Sequence, residues 1–117
     1  MKHHTIISIA AGLLVAGGAN AACEYPSRVD IPNGSQASKE EMMAGQKAVK
    51  SYMASMNEYL DCIEIETEAA KSADEDAAVT AERDALLAKR YNAAVDEMET
   101  LAESFNVEVR EYKAQGQ

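Results

Sequence analysis

Imidazole is the side chain most often used for proton transfer and metal binding, and the histidines of this 117-residue chain are His3 and His4. They precede an apolar run from Ile6 to Ala16, which is too short for a membrane-spanning helix of ~20 residues. We interpret residues 1–21 as a secretory signal peptide. Its removal would take both histidines away, so we expect no imidazole chemistry in the exported protein.

Small residues mark the end of this segment. Ala19 and Ala21 stand at the two positions that signal peptidase reads, so we expect cleavage after Ala21 and a periplasmic protein. Cys23 follows closely, as the lipidated cysteine of a lipoprotein would, but Asn20 stands where such proteins normally have leucine. We therefore expect neither a lipid anchor nor membrane insertion after cleavage.

The two cysteines, Cys23 and Cys62, would enter an oxidising compartment, where an even number of cysteines normally pairs. They are far apart in sequence and lack Cys-x-x-Cys spacing, which argues against a redox centre or a metal site. We predict a structural disulfide that closes a loop of about 40 residues.

Carboxylates are the most abundant reactive groups that remain. Asp and Glu number 20 against 11 Lys and Arg, for a net charge of −9, which disfavours nucleic acid or an anionic membrane as the partner. Glu64, Glu66 and Glu68 are dense, but their alternate spacing spreads them around a helix. The sequence also has no phosphate-binding Gly-rich loop, Gly-x-Ser-x-Gly or His-Glu-x-x-His motif. We predict that the protein is not an enzyme and has no catalytic residue.

Metal binding is the alternative function that the sequence leaves open. Carboxylates suit Ca²⁺ and thioethers suit Cu⁺, so a small acidic exported protein could bind either ion. The acidic turn lacks the spacing of a calcium loop, and three of the methionines fall at core spacing, so we expect no metal and no cofactor. The residues concerned are Glu68, Asp74, Glu75, Asp76 and Asp84 for calcium, and Met42, Met43, Met53, Met56 and Met98 for copper.

The elements that position these groups are expected to be helices, because aromatic residues make up only 5% of the chain and β-branched residues are sparse. Residues 22–37 contain both prolines and a Pro-Asn-Gly turn signal, so we expect an extended arm there. Ser38 followed by Glu41 fits a capping box and predicts a helix over about 38–70.

An acidic loop is expected over residues 71–79, followed by a second helix over about 80–113. Asp76 or Thr80 could cap this second helix. The predicted fold class is therefore all-α, an antiparallel two-helix hairpin like a coiled coil, with the N-terminal arm tied back by the disulfide.

Both helices carry apolar residues at alternating spacings of four and three, which predicts a seam along each helix. In the best register, facing residues have numbers that add up to about 150, which pairs Gly45 with Phe105. The seam positions are Met42, Gly45, Val49, Tyr52, Met56, Tyr59, Ile63 and Ala70 on the first helix, and Leu87, Tyr91, Ala94, Met98, Leu101 and Phe105 on the second.

Small residues form a row beside the seam of the first helix, where a backbone can approach closely. The arm is long enough to run antiparallel along this helix. We expect Val29 and Ile31 of the arm to pack near the row, which consists of Ala44, Ala48, Ser51, Ser55 and Cys62.

A second row of apolar residues lies next to the seam on its other side. Two helices and one arm offer nothing further to cover it, and an exposed apolar face usually marks an interface. We expect either a homodimer that forms a four-helix bundle or docking of another helical envelope protein; a broad core stripe is the alternative. The possible interface residues are Met53, Leu60, Ala88, Val95, Ala102 and Val109.

Five segments carry a resemblance: Ile31-Pro32-Asn33-Gly34, Tyr59-Leu60-Asp61-Cys62, Tyr91-Asn92-Ala93-Ala94-Val95-Asp96-Glu97-Met98, Phe105-Asn106 and Val109-Arg110-Glu111-Tyr112-Lys113. In these segments the chain resembles small exported helical proteins of proteobacteria that have an arm, two cysteines and no known activity. The resemblance covers most of the chain after residue 21. It implies a location and an architecture, but no catalytic or binding residue.

The sequence therefore favours a non-enzymatic interaction or structural module of the cell envelope, located in the periplasm. The predicted hairpin, the apolar row and the missing catalytic motifs all point the same way.

Overall fold

A computed structural model describes residues 22–116. They form an N-terminal arm followed by two long α-helices joined by a short loop. Helix α1 spans Lys39–Ala69 and helix α2 spans Ala77–Gln115. These described residues contain no strand, so the predicted all-α class is confirmed. The predicted signal peptide, residues 1–21, lies outside the described residues.

Helix α1 begins with the predicted capping box. The Glu41 amide donates to the Ser38 hydroxyl at 3.1 Å, and the Ser38 amide donates to the Glu41 carboxylate at 2.7 Å. Glu40 and Glu41 also place negative charge at the positive end of the helix dipole. The helix therefore starts where the sequence places it, because the Ser38 hydroxyl and the Glu41 carboxylate each satisfy an otherwise unpaired amide.

Helix α2 begins at Ala77, about three residues before the predicted start. Asp76 is the cap, since its carboxylate accepts a hydrogen bond from the Ala78 amide at 2.8 Å. Thr80, the other candidate, instead donates its hydroxyl to the Glu75 carboxylate at 2.8 Å. The loop is correspondingly shorter than the predicted 71–79.

Helix α2 also extends to Gln115, beyond the predicted end near Lys113. The Gln115 side-chain amide donates to the carbonyl oxygens of Gly34 and Ala37, so the arm holds the last turn in place.

The two helices pack antiparallel along the predicted seam. A Cβ added to Gly45 would lie 3.4 Å from Phe105, and Arg90 donates to the Tyr59 hydroxyl at 3.3 Å, both in agreement with the predicted register. Every predicted seam residue of α1 from Met42 to Ile63 is buried, whereas Ala70 is exposed. Thr67 is buried in the last turns instead, with its hydroxyl bonded to the Ile63 carbonyl at 2.7 Å.

The arm runs antiparallel along α1, as predicted. Its start is fixed by the Cys23–Cys62 disulfide, whose Cα atoms lie 5.7 Å apart, and its end places Pro32 beside Gly45. Between these points Val29 and Ile31 pack against the core of the hairpin.

The arm also binds α2. Arg28 forms an ion pair with Glu97 at 2.8 Å, and the Gly34 amide donates to the Glu108 carboxylate at 2.6 Å. The arm is therefore a third element that covers one flank of the two-helix pair.

Candidate functional site

The six predicted interface residues, here called the apolar flank, lie on the side of the hairpin away from the arm. Leu60 and Cys62 are two residues apart, or ~200° around a helix, and Cys62 carries the arm. Since Met53 lies seven residues before Leu60, it shares the face of Leu60. The flank on α2 follows the same seven-residue spacing, from Ala88 to Val109.

The members of the apolar flank differ in exposure. Leu60 is only 6% exposed and belongs to the core of the hairpin, so it offers little surface to a partner. Met53 and Val95 pack against the same core but stay half-buried. The surface that remains is therefore contributed by the half-buried and exposed members, which are Met53, Ala88, Val95, Ala102 and Val109.

The apolar flank ends in a groove at the base of the hairpin, where α1 starts and α2 ends. The groove has a volume of about 270 Å³, and Met43, Phe105 and Val109 line it together with Lys39 and Lys113. Met43 is 60% exposed, which is unusual for a large apolar side chain. The sequence assigns Met43 only to the metal alternative. Gln46 lies seven residues before Met53 and so belongs to the same row. Met43 is three residues before Gln46, and this spacing could have placed it beside the flank.

The acidic tip of the hairpin, the loop between the helices, is occupied by ion pairs. Both oxygens of the Glu75 carboxylate accept hydrogen bonds from Arg83, and this contact, followed by the Thr80 hydroxyl, lowers the pKa of Glu75. Lys71 lies 2.8 Å from Glu68 and 3.4 Å from Asp84.

Three of the five residues proposed for calcium, Glu68, Glu75 and Asp84, thus already bind cationic side chains. Within residues 22–116 no group of three or more His, Cys, Asp or Glu side chains is placed to hold a metal ion.

The methionines proposed for copper mostly serve the core. Met42 and Met56 are buried in the seam, and Met53 and Met98 pack against the core. Met43 is the exposed member and lies in the groove at the base.

A second, larger groove lies between the arm and α1. We call it the arm groove; its volume is about 630 Å³. Its floor consists of Ala48, Ser51 and Ser55 from the predicted row of small residues, so that row leaves space between arm and helix instead of close contact. Its walls carry three tyrosines, which are Tyr25, Tyr52 and Tyr59.

The tyrosines of the arm groove have unusual surroundings. Tyr25 stacks edge-to-face on Tyr59 with ring centroids 5.0 Å apart. The Tyr52 hydroxyl is buried beside Tyr25 and has no hydrogen-bond partner among residues 22–116. Burial raises the pKa of both Tyr25 and Tyr52, and the negative charge of Glu97 raises it further. The sequence predicts Tyr52 and Tyr59 in the seam and gives Tyr25 no role, because the predicted path of the arm does not determine which of its side chains lies over them.

Neither helix in the described part of the chain is long and apolar enough to cross a membrane.

Comparisons with protein-family models, with curated proteins and with solved structures find no match for this chain. The resemblance to small exported proteins of proteobacteria therefore stays a prediction.

Proposed function

We propose that this protein is a non-enzymatic interaction or structural module of the bacterial cell envelope, exported to the periplasm, that docks through its apolar flank. The observation that carries the proposal is the half-buried apolar row on the flank that the arm leaves uncovered, from Val95 to the groove around Met43 and Val109. An apolar row that no other element of the chain covers is typical of protein interfaces. The Cys23–Cys62 disulfide supports export, since such bonds persist in oxidising compartments.

The distribution of charge favours a second copy of the chain as the partner. At the base, Lys39 and Lys113 line the groove. At the tip, Glu64 lies three heptads beyond Met43 on the same face of α1, and the loop adds Asp74 and Asp76. A two-fold axis perpendicular to the long axis of the hairpin would place the lysines at the base of one copy against the acidic residues at the tip of the other.

Side-chain sizes fit the same arrangement. With the two-fold axis near Met53 and Val95, α1 of one copy would pack on α1 of the other, and Met43 would lie at the level of Ala85 and Ala88 of the other copy. Large side chains at the base would thus meet small ones at the tip, as close packing requires. The result would be a four-helix bundle with the two arms on its outer sides.

Sedimentation equilibrium of the full chain, expressed from its whole sequence with the disulfide intact, tests this proposal. We expect twice the mass of one chain for the wild type and a single mass for the double variant Met43→Glu and Ala88→Glu. Both substituted residues are exposed in the single chain, so helicity should be retained.

The control is Ile65→Glu, which introduces one negative charge about 140° away from Leu60 around α1. Ile65 is 70% exposed, so this variant should stay dimeric. A wild type that is monomeric at all concentrations would contradict the proposal, as would equal loss of association in the control.

A further inference from the structure

The arm groove has the dimensions and the rigidity of a binding site. Small-molecule sites are clefts of ~300 to 1,000 Å³, and this groove has about 630 Å³. The arm that forms one wall is fixed at one end by the Cys23–Cys62 disulfide and at the other by the contact of Pro32 with Gly45. The backbone of the groove is therefore in place before any ligand arrives, and only the Tyr25 side chain has to move to expose the Tyr52 hydroxyl.

The walls of the groove suit a cation. Aromatic ring faces attract positive charge; the Arg90 guanidinium, 5.8 Å from the Tyr59 centroid, already uses that ring, which leaves the rings of Tyr25 and Tyr52 for a ligand cation. Glu24 and Glu58 also line the groove, while its lining contains no Lys or Arg. The nearest arm cation, Arg28, is neutralised by Glu97 at 2.8 Å.

A buried polar group in the groove lacks a partner. Tyr52 is 3% exposed and lines the groove, and its hydroxyl finds no hydrogen bond within the described range 22–116. Such groups are normally satisfied by protein, water or ligand. Tyr25, which lies beside this hydroxyl, is 46% exposed, so a ligand that displaces its ring could reach Tyr52.

We propose that the arm groove binds a small alkylamine in its ammonium form. The ammonium group lies against the tyrosine rings and near Glu24 or Glu58, and one N–H donates to the Tyr52 hydroxyl. The alkyl chain covers the apolar floor at Ala48. This site is on the flank opposite the proposed interface, so it stands or falls independently of self-association.

The test is a titration of the full chain, expressed from its whole sequence with the disulfide intact, followed by nuclear magnetic resonance. The probes are hexylammonium, hexyltrimethylammonium and hexanoate, which share one chain length and differ in charge and in N–H groups. We expect saturable shifts at Tyr25, Tyr52 and Ser55 with hexylammonium, and at least tenfold weaker binding of hexanoate.

Two variants locate the site. Ser55→Leu fills the groove from an exposed position on α1 and should weaken hexylammonium binding at least tenfold, whereas Met43→Leu in the other groove should leave it unchanged. Tyr52→Phe should weaken hexylammonium more than hexyltrimethylammonium, because only the former has N–H groups to donate.

Hexanoate that binds as tightly as hexylammonium would overturn the proposal, as would shifts that do not saturate. Because this comparison uses the wild type, it holds even if a variant fails to fold. Unchanged binding in a folded Ser55→Leu variant would also overturn it.

Discussion

Pro32 occupies the space that a side chain on Gly45 would need. A Cβ added to Gly45 would lie 2.5 Å from Pro32 Cδ and 3.4 Å from Phe105 Cε2. The arm, α1 and α2 thus meet at one glycine, which fixes the position of the arm along the hairpin.

Replacing Gly45 by leucine should therefore destabilise the protein more than replacing Ala44, which is exposed. The extra volume must displace the Pro32 ring or Phe105, and overpacking of this kind costs about 1 to 3 kcal/mol. Urea unfolding of the two variants measures the difference. Equal free energies of unfolding for Gly45→Leu and Ala44→Leu would contradict the contact and the register.

The Cys23–Cys62 disulfide joins residues 39 apart in sequence, and its loss should lower the free energy of unfolding by about 3 to 4 kcal/mol in the loop-entropy model. We expect the double variant Cys23→Ser and Cys62→Ser to retain its helical circular dichroism under native conditions, because the seam does not include either cysteine. Reduction of the wild type should reproduce the loss. A variant as stable as the oxidised wild type would show that the arm contributes little constraint.

Alkaline pH should destabilise the protein through Tyr52. Its pKa in the folded chain is raised above the ordinary value of 10.0, first by burial, so the neutral form is favoured in the fold. The resulting stability is fully present below pH 10 and is lost as the pH rises through the folded pKa, because the unfolded chain then releases the proton more readily. Chemical denaturation between pH 8 and pH 11 should give a shallower decline for Tyr52→Phe than for the wild type. Identical slopes would exclude this role for Tyr52.

Acidic pH should weaken the tip. The pKa of Glu75 is lowered, chiefly by hydrogen bonds from Arg83, so its contribution is present above the ordinary carboxylate range and is lost as the pH falls through the folded pKa. Glu75→Gln should therefore lower the melting temperature at pH 7 and have a smaller effect at pH 3. Glu82→Gln, on an exposed neighbour, is the matched control. A Glu75→Gln effect that persists undiminished at pH 3 would argue against the ion pair as its cause.

The helices and their seam could be predicted from local pattern alone. Residues at heptad spacing from Met42 to Ile63 are buried because neither helix can bury an apolar stripe by itself, and the capping box at Ser38 depends on residues three apart. The hydropathy pattern does not predict that Thr67 is buried. Its hydroxyl donates a hydrogen bond to the Ile63 carbonyl in the same helix, so burying this polar side chain costs little free energy.

Two other features depended on contacts between distant residues. The sequence does not distinguish Asp76 from Thr80 as the N-cap of α2. In the structure the Thr80 hydroxyl donates instead to the Glu75 carboxylate, which also accepts a hydrogen bond from Arg83, and Asp76 is the cap. The arm groove could not be predicted, because the position of the arm is set partly by bonds across more than seventy residues, such as that of Gly34 to Glu108. The length of the arm and the expected disulfide predict a path antiparallel to α1, but they do not determine which arm side chains face the helix.

In the dimer that we propose, the apolar flank of one copy packs on that of a second copy, base against tip. The most direct test is an isotope-filtered nuclear Overhauser experiment on a mixture of ¹³C-labelled and unlabelled full-length protein. We predict intermolecular contacts from the Met43 methyl group to the tip half of the other copy, at the level of Ala85 and Ala88. Absence of intermolecular contacts at millimolar concentration, or contacts through Ile65 instead of Met43, would contradict the claim.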